Sequence, residues 1–154
     1  MPVSSNLPRD LIPSNRGAAV TFLVDTSALI HLLRDNTGRV AERYDQLVDG
    51  GPVALSRMTE FELLNGARDE KELSRLRRLL AAETLLDVPQ SAWSESAQIV
   101  FDLRRRGITL MNVFDCLIAH TAIQNDLTLI HDDVDFERIA EVRPLQLHRF
   151  RSKK

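Results

Sequence analysis

The sequence has one cysteine, Cys116, among its 154 residues. No disulfide can form within the chain, and a lone copy cannot build a zinc site from several cysteines. Long apolar runs are also missing, because none approaches the roughly 18 residues that a spanning helix needs. Residues 1–20 contain no apolar stretch of signal-peptide length. We therefore expect a cytoplasmic protein without a membrane segment.

An excess of charge of one sign is missing as well. The chain carries 20 Lys and Arg against 22 Asp and Glu, for a formal net charge of −2. This balance excludes the class of proteins that bind nucleic acid through a large net positive charge. Any contact with nucleic acid must therefore depend on a local group of basic residues. Length and a hydrophobic content of 44% suit one compact domain. We place it at residues 21–150, between a flexible leader at 1–20 and a basic tail at 151–154.

Short apolar strands alternate with helices along this domain. Strand patterns fall at 21–24, 53–55, 85–88, 127–130 and 145–147. Helical patterns fall at 28–34, 39–48, 69–83, 91–106, from 112 or 113 to about 125, at 136–140, and in a segment that Ser56 would cap and that ends near Gly66. The alternation predicts an α/β fold with a mainly parallel sheet covered by helices on both faces. In such sheets, ligands gather beyond the carboxyl ends of the strands.

Four acidic residues fall where this fold would bring them to one edge of the sheet. Asp25 follows the first strand, and Asp133 follows the strand at 127–130. Glu62 and Asp115 lie in early turns of helices. If these acids converge, each like-charged pair at about 4 Å costs roughly 4 kcal/mol at an effective dielectric near 20, which a divalent cation would relieve. An all-oxygen set favours Mg²⁺ or Mn²⁺, ions that assist phosphodiester hydrolysis.

Each acid also has an ordinary structural interpretation. Asp25 and Asp133 are good cap or turn residues, and acidic neighbours compete with Asp133 for any role. Asp115 would complement a helix dipole at its N-terminus, and a glutamate such as Glu62 is common on an exposed helix face. The argument for a site therefore depends on the whole set.

Four segments carry these acids in a fixed order. They are 22–29 (FLVDTSAL), 55–66 (LSRMTEFELLNG), 112–119 (NVFDCLIA) and 129–136 (LIHDDVDF). In residue types and order they resemble the motifs of the PIN-domain nucleases, and in particular of the VapC toxins, over about residues 21–150. The resemblance implies a PIN-like three-layer α/β sandwich with a central, mainly parallel sheet.

The resemblance also selects individual residues within the motifs. In the second motif the functional acid precedes a Leu pair and a Gly, which implies Glu62 rather than Glu60. In the fourth motif, counting back from the closing Asp-Phe pair implies Asp133. Here His131 stands where the family usually has a hydroxyl residue.

The function that the resemblance implies is a metal-dependent endoribonuclease acting on single-stranded or looped RNA. The residues that would be catalytic and hold one or two Mg²⁺ or Mn²⁺ ions are Asp25, Glu62, Asp115 and Asp133, with Ser27 or Thr26 orienting an acid or a water. The VapC likeness further implies a homodimer and neutralisation by a VapB-like antitoxin.

Two alternatives compete with this function. One is a PIN-like module that binds RNA or a protein without cutting, although the presence of all four acids argues against it. The other is a phosphoacceptor receiver domain, which also gathers acids at strand ends. That class needs a second acid beside Asp25 and a late lysine, whereas no Lys lies between Lys71 and Lys153.

Overall fold

The computed structural model describes residues 21–151, so the predicted leader and residues 152–154 of the predicted tail lie outside the described residues. The elements in chain order are β1 (Phe22–Val24), α1 (Thr26–Arg34), α2 (Arg39–Val48), β2 (Val53–Ser56), α3 (Arg57–Asn65), α4 (Glu70–Leu80), β3 (Leu85–Leu86), α5 (Ala92–Arg105), α6 (Asp115–Gln124), β4 (Thr128–His131), α7 (Val134–Ala140) and β5 (Gln146–Arg149). None of the helices in this range combines the length and the apolar content that crossing a bilayer requires.

The strands form one sheet in the order β3-β2-β1-β4-β5. Every neighbouring pair is parallel, which confirms the predicted parallel sheet. Because β1 lies at the centre and all strands run the same way, the carboxyl ends of β1, β2 and β4 meet at one edge. This is the edge at which ligands gather in open α/β sheets.

The sheet separates two apolar clusters. In β1, Val24 belongs to the cluster formed with helices α1 to α4, whereas Leu23 belongs to the cluster formed with α5 to α7. In β4, Ile130 belongs to the first of these clusters and Leu129 to the second. Successive side chains of a strand point to opposite faces, so a strand covered on both sides is apolar throughout. The two clusters give the predicted three-layer sandwich.

Several helices begin one to three residues away from the predicted start, among them α7, which begins at Val134 rather than at 136. Two of these displaced starts bear on the acids. α1 begins at Thr26 rather than at 28, because the Asp25 side chain accepts the N–H two residues further on and caps the helix. α6 begins at Asp115 rather than at 112 or 113, because the side-chain oxygen of Asn112 accepts the N–H of Phe114 and holds a turn there. In both cases the result is an acid at the N-terminus of a helix.

Packing on the α5–α7 side of the sheet predicts a large loss of stability when a buried side chain of β4 is shortened. Leu129 is fully buried, with none of its surface exposed. Leu129→Ala should lower the free energy of unfolding by about 2 to 5 kcal/mol, because it loses apolar burial and leaves a cavity. Urea denaturation measures the change. Lys71→Ala on the exposed surface of α4 is the control and should stay within about 0.5 kcal/mol of wild type; an equally small effect at Leu129 would contradict the packing.

Candidate functional site

The carboxyl edge of the sheet carries the acids selected from the sequence. Asp25 directly follows β1, and Asp133 lies two residues after β4. Asp115 opens α6, while Glu62 lies on α3, the helix that follows β2. After burial, the charges of Asp25, Asp133 and Glu62 are the main causes that raise the pKa of Asp115. The fold therefore brings the four acids into one electrostatic group.

Asp25 is buried, with 4% of its surface exposed. Its Oδ2 atom accepts two hydrogen bonds from Ser27, one from the main-chain N–H at 2.8 Å and one from the hydroxyl at 2.6 Å. Its Oδ1 atom is buried without a hydrogen-bond partner in the described part of the chain. Burial raises the pKa of Asp25 to about 6, against the opposing effect of the Ser27 hydrogen bonds. One buried carboxylate oxygen thus lacks a hydrogen-bond donor among the described residues, and a bound cation would satisfy it.

Asp115 is the most strongly perturbed acid at this edge. Burial, followed by the charges of the neighbouring acids, raises its pKa to about 8. Its Oδ1 atom accepts a hydrogen bond of 2.9 Å from the side-chain amide of Asn112. Near neutral pH, in the absence of a cation, this carboxyl group therefore holds a proton for much of the time.

The tightest cluster includes an acid that the sequence prediction did not select. One carboxylate oxygen each from Asp115, Asp133 and Asp135 lies within 4.8 Å of the other two. Asp25 and Glu62 contribute no atom to this cluster, although their charges act on it. Asp135 is fully buried, and the only sequence signal for it was its place in the closing Asp-Phe pair of the fourth motif.

Asp135 is already well supplied with hydrogen-bond donors. Its Oδ2 atom accepts the main-chain N–H groups of Met111 and Asn112 at 2.6 and 2.9 Å. Its Oδ1 atom accepts a hydrogen bond of 2.8 Å from Arg138. With three donors engaged and a guanidinium against it, Asp135 chiefly holds the loop before α6 in place. It thereby sets the position of Asp115.

The two glutamates of α3 have different surroundings. Glu62 accepts a hydrogen bond of 2.8 Å from the Thr26 hydroxyl, and its charge raises the pKa of Asp25. Glu60 instead forms an ion pair of 2.9 Å with Arg57. Glu62 is therefore the glutamate that lies beside the acidic edge.

His131 contacts the acidic edge through the main chain. Its Nδ1 atom lies 2.8 Å from the carbonyl oxygen of Asp133, and its ring packs edge-on against Phe136 at a centroid distance of 5.4 Å. Burial lowers the pKa of the ring, so His131 is neutral near pH 7. It supports the chain around Asp133 and donates no charge to the cluster.

The donor set fits a hard divalent cation. The atoms that approach one another are carboxylate oxygens, and the buried Oδ1 of Asp25 is an acceptor that a cation would satisfy. The raised pKa values of Asp25 and Asp115 show that negative charge is costly at this edge. Mg²⁺ and Mn²⁺ prefer such oxygen ligands.

An apolar groove lies between α5 and the start of α6. It has a volume of about 350 Å³, and its lining includes Trp93, Arg104, Val113 and Phe114. Trp93 and Phe114 are 60% and 52% exposed. Phe114 immediately precedes Asp115 in sequence, but none of the four acids lines the groove. Exposed aromatic surface of this kind is typical of a binding face.

Known proteins share both the sequence pattern and the fold. The sequence model of the PIN domain matches residues 22–142. A VapC ribonuclease of Mycobacterium bovis is 32% identical over 133 residues, which cover 84% of this chain and 99% of that protein. A tRNA(fMet)-specific endonuclease VapC of Shigella flexneri is 27% identical and covers 79% and 94%, respectively. The crystal structure of DNA-bound VapBC from Salmonella typhimurium aligns with a TM-score of 0.68 at 20% identity, over 85% of this chain and 98% of that one.

The raised pKa of Asp115 predicts how the stability of the metal-free protein depends on pH. The carboxyl titrates at about 8 in the folded chain against an ordinary value of 3.8. The folded state therefore binds the extra proton, and stability falls as this proton is lost with rising pH. Asp115→Asn has no carboxyl group to titrate, so this fall in stability is absent from the variant. The free energy of unfolding of the variant, relative to wild type, should therefore rise between about pH 5 and pH 8 by roughly 1 kcal/mol or more, since a tenfold change in proton affinity is about 1.4 kcal/mol.

Urea denaturation of both proteins in EDTA measures this difference. Buried His131 has a lowered pKa and shifts stability the opposite way, but it does so in both proteins and cancels in the comparison. Asp126→Asn, an exposed position ahead of β4, is the matched control and should follow wild type at every pH. A constant difference between Asp115→Asn and wild type would contradict the raised pKa.

Proposed function

The chain belongs to the PIN-domain family, and from this premise we propose that it is a metal-dependent endoribonuclease that hydrolyses phosphodiester bonds in RNA. The observation that carries the proposal is the convergence of four acids at the carboxyl edge of the sheet, where Asp25 keeps an unpartnered buried oxygen. The names of its VapC relatives, a ribonuclease and a tRNA-specific endonuclease, support RNA as the substrate class.

The proposed cation is Mg²⁺ or Mn²⁺, held by Asp25, Asp115 and Asp133 with Glu62 beside them. When bound, such an ion lowers the pKa of a water that attacks phosphorus and stabilises the leaving oxygen. The buried Oδ1 of Asp25, which has no donor among the described residues, and the raised pKa of Asp115 support this ligand set, because a positive charge would stabilise both carboxylates. The close approach of Asp133 to Asp115 adds a third oxygen donor.

Neutral donors hold these carboxylates in place without cancelling their charge. Ser27 orients Asp25, Asn112 orients Asp115, and Thr26 orients Glu62. In each case one oxygen is held and another is left to contact a ligand or a water. In hydrolysis a water oxygen bonds to phosphorus, the bond from phosphorus to the leaving RNA oxygen breaks, and a carboxylate such as Glu62 accepts the water proton.

An acidic edge repels phosphate, so RNA needs positive charge close by. Arg104 and Arg105 are the last residues of α5, Arg106 follows them, and all three side chains are exposed. These guanidinium groups supply the local contact that the balanced net charge requires.

Cleavage of total cellular RNA tests the proposed activity. Purified protein with Mg²⁺ or Mn²⁺ should produce discrete fragments, and EDTA should abolish them. Asp115→Asn and Glu62→Gln should each reduce the rate at least about a hundredfold, because losing even an outer partner of a metal ligand costs 10- to 100-fold. Both substitutions remove charge while preserving shape.

Glu60→Gln is the matched control for Glu62→Gln, since it makes the same change two residues away on α3 and breaks only the ion pair with Arg57. It should cleave at the wild-type rate. Cleavage that survives EDTA or Asp115→Asn would reject the proposal. Absent cleavage together with tight RNA binding would favour the non-catalytic PIN-like binding module.

We further propose that the chain is the toxin of a toxin–antitoxin pair, a homodimer neutralised by a VapB-like antitoxin in the cytoplasm. The likeness to VapC proteins and to VapBC complexes supports this partner. The exposed apolar side chains Trp93, Phe101 and Phe114 support a homodimer, because a second copy would cover them. The assignment of the whole domain to residues 21–150 stays a prediction.

Light scattering measures the expected dimer. Wild type should have twice the mass of one chain, whereas Trp93→Asp should shift it towards the monomer because a carboxylate would be buried in the interface. Arg78→Asp on the exposed surface of α4 is the control and should remain dimeric. Co-expression with the product of the neighbouring gene should give an inactive complex. A monomeric wild type that the neighbouring product leaves active would contradict both partners.

A further inference from the structure

Asp132 is the acid that the sequence prediction set aside in favour of Asp133, yet it has basic partners from two distant elements. The Nε2 atom of His31, on α1, lies 2.8 Å from its Oδ2. The Nε atom of Arg149, at the end of β5, donates to its Oδ1 at 3.0 Å. Arg151 approaches the same oxygen at 3.7 Å. The carboxylate is therefore held between α1 and β5.

The main chain of the same residue leads to the acidic edge. The N–H of Asp132 donates to the Ser27 hydroxyl oxygen at 2.9 Å, and this hydroxyl donates to Asp25 Oδ2 at 2.6 Å. Asp133, the next residue, supplies an oxygen to the tight cluster. Asp132 thus connects to two of the proposed ligands, to Asp25 through the Ser27 hydroxyl and to Asp133 through the peptide chain.

The contacts to Asp132 are charge-assisted. Burial acts to raise the pKa of this carboxyl, but the hydrogen bonds from His31 and Arg149 outweigh it and leave the pKa below its ordinary value. An ionised carboxylate only accepts, so the N–H groups of both residues donate to it. Arg149 also reaches Glu137 of α7 at 2.7 Å. Partly exposed ion pairs contribute little to stability, so their main effect here is on orientation.

We propose that His31 and Arg149 are positioning residues that act through Asp132. By holding its side chain from two sides, they fix the turn that follows β4. That turn orients Asp25, through a serine hydroxyl, and Asp133, through the chain itself. The inference rests on the proposed function, because it assigns the turn the task of presenting both carboxylates to a cation. Outer partners of metal ligands commonly change metal affinity by 10- to 100-fold.

Calorimetric titration with Mn²⁺ tests the metal side of the proposal. Arg149→Gln should weaken Mn²⁺ binding severalfold, up to about tenfold, because Arg149 is one contact further from the ligands than the partners whose loss costs 10- to 100-fold. Arg143→Gln is the matched control, because the Arg143–Asp102 pair has side-chain exposures of 22% and 31%, close to the 28% and 20% of the Arg149–Asp132 pair. Glu137→Gln is the second control, since it breaks only the other ion pair of Arg149. Both controls should bind Mn²⁺ as wild type does.

Amide hydrogen exchange in the metal-free protein tests the turn itself. The Asp132 amide donates to Ser27 in wild type, so it should exchange slowly there and faster in Arg149→Gln, with no change in the two controls. A merely stabilising ion pair would raise exchange in Arg143→Gln as well. Unchanged exchange at Asp132 in Arg149→Gln, or wild-type Mn²⁺ affinity in that variant, overturns the positioning role.

The outcomes separate this inference from the function on which it rests. A wild-type chain that binds no Mn²⁺ overturns the proposed metal centre, whatever the amide exchange shows. If Arg149→Gln does not fold, His31→Ala takes its place, since it removes the contact from α1 at a partly exposed position. The same loss of Mn²⁺ affinity and of amide protection is expected, and wild-type values for both overturn the proposal.

Discussion

The burial of carboxylates at one edge of the sheet, together with the repulsion between them, is the constraint on which the functional edge of this molecule depends. Parallel strands end at the same edge of the sheet, so residues that follow them in sequence become neighbours in space. Asp25 and Asp115 are buried there, and their pKa values rise to about 6 and about 8. Without a cation, the charges of these acids therefore destabilise the folded protein. A bound cation would remove that cost, so the acids that destabilise the metal-free protein are those that would bind the cation.

Two sets of side chains around the acids hold the carboxylates in place, one neutral and one positively charged. Next to the acids stand neutral donors such as Ser27 and Asn112, which orient a carboxylate and leave its charge available. Positive groups stand one layer further out, where Arg138 holds Asp135 and Arg149 holds Asp132. An arginine placed directly on a ligating carboxylate would compete with the cation. Placed one residue away, it fixes geometry without neutralising the site.

Local sequence patterns predicted most of the architecture. Strands such as 127–130 were recognisable because a strand covered on both faces is apolar at nearly every position, with Thr128 the exception here. Two helix starts were displaced where a side chain accepts a main-chain N–H, as Asp25 and Asn112 do. Motif order selected Glu62 over Glu60, and the structure places Glu62 beside Thr26 and Glu60 against Arg57 at the surface. Asp135 was not selected, because the main-chain N–H groups of Met111 and Asn112 that it holds lie more than twenty residues away in sequence.

The sequence by itself determined the alternation of strands and helices, the family, and the four acids that end up at one edge. These follow from short-range chemistry, namely strand periodicity, helix capping and the residue types that a motif keeps together. Only the tertiary structure decided which carboxylate oxygens lack a hydrogen-bond donor, which carboxyl groups hold a proton, and which residues position the acids. His31 and Asp132 are 101 positions apart and Arg149 is 17 from Asp132. Burial and the distance between charges set those properties, and both arise only when remote segments pack together.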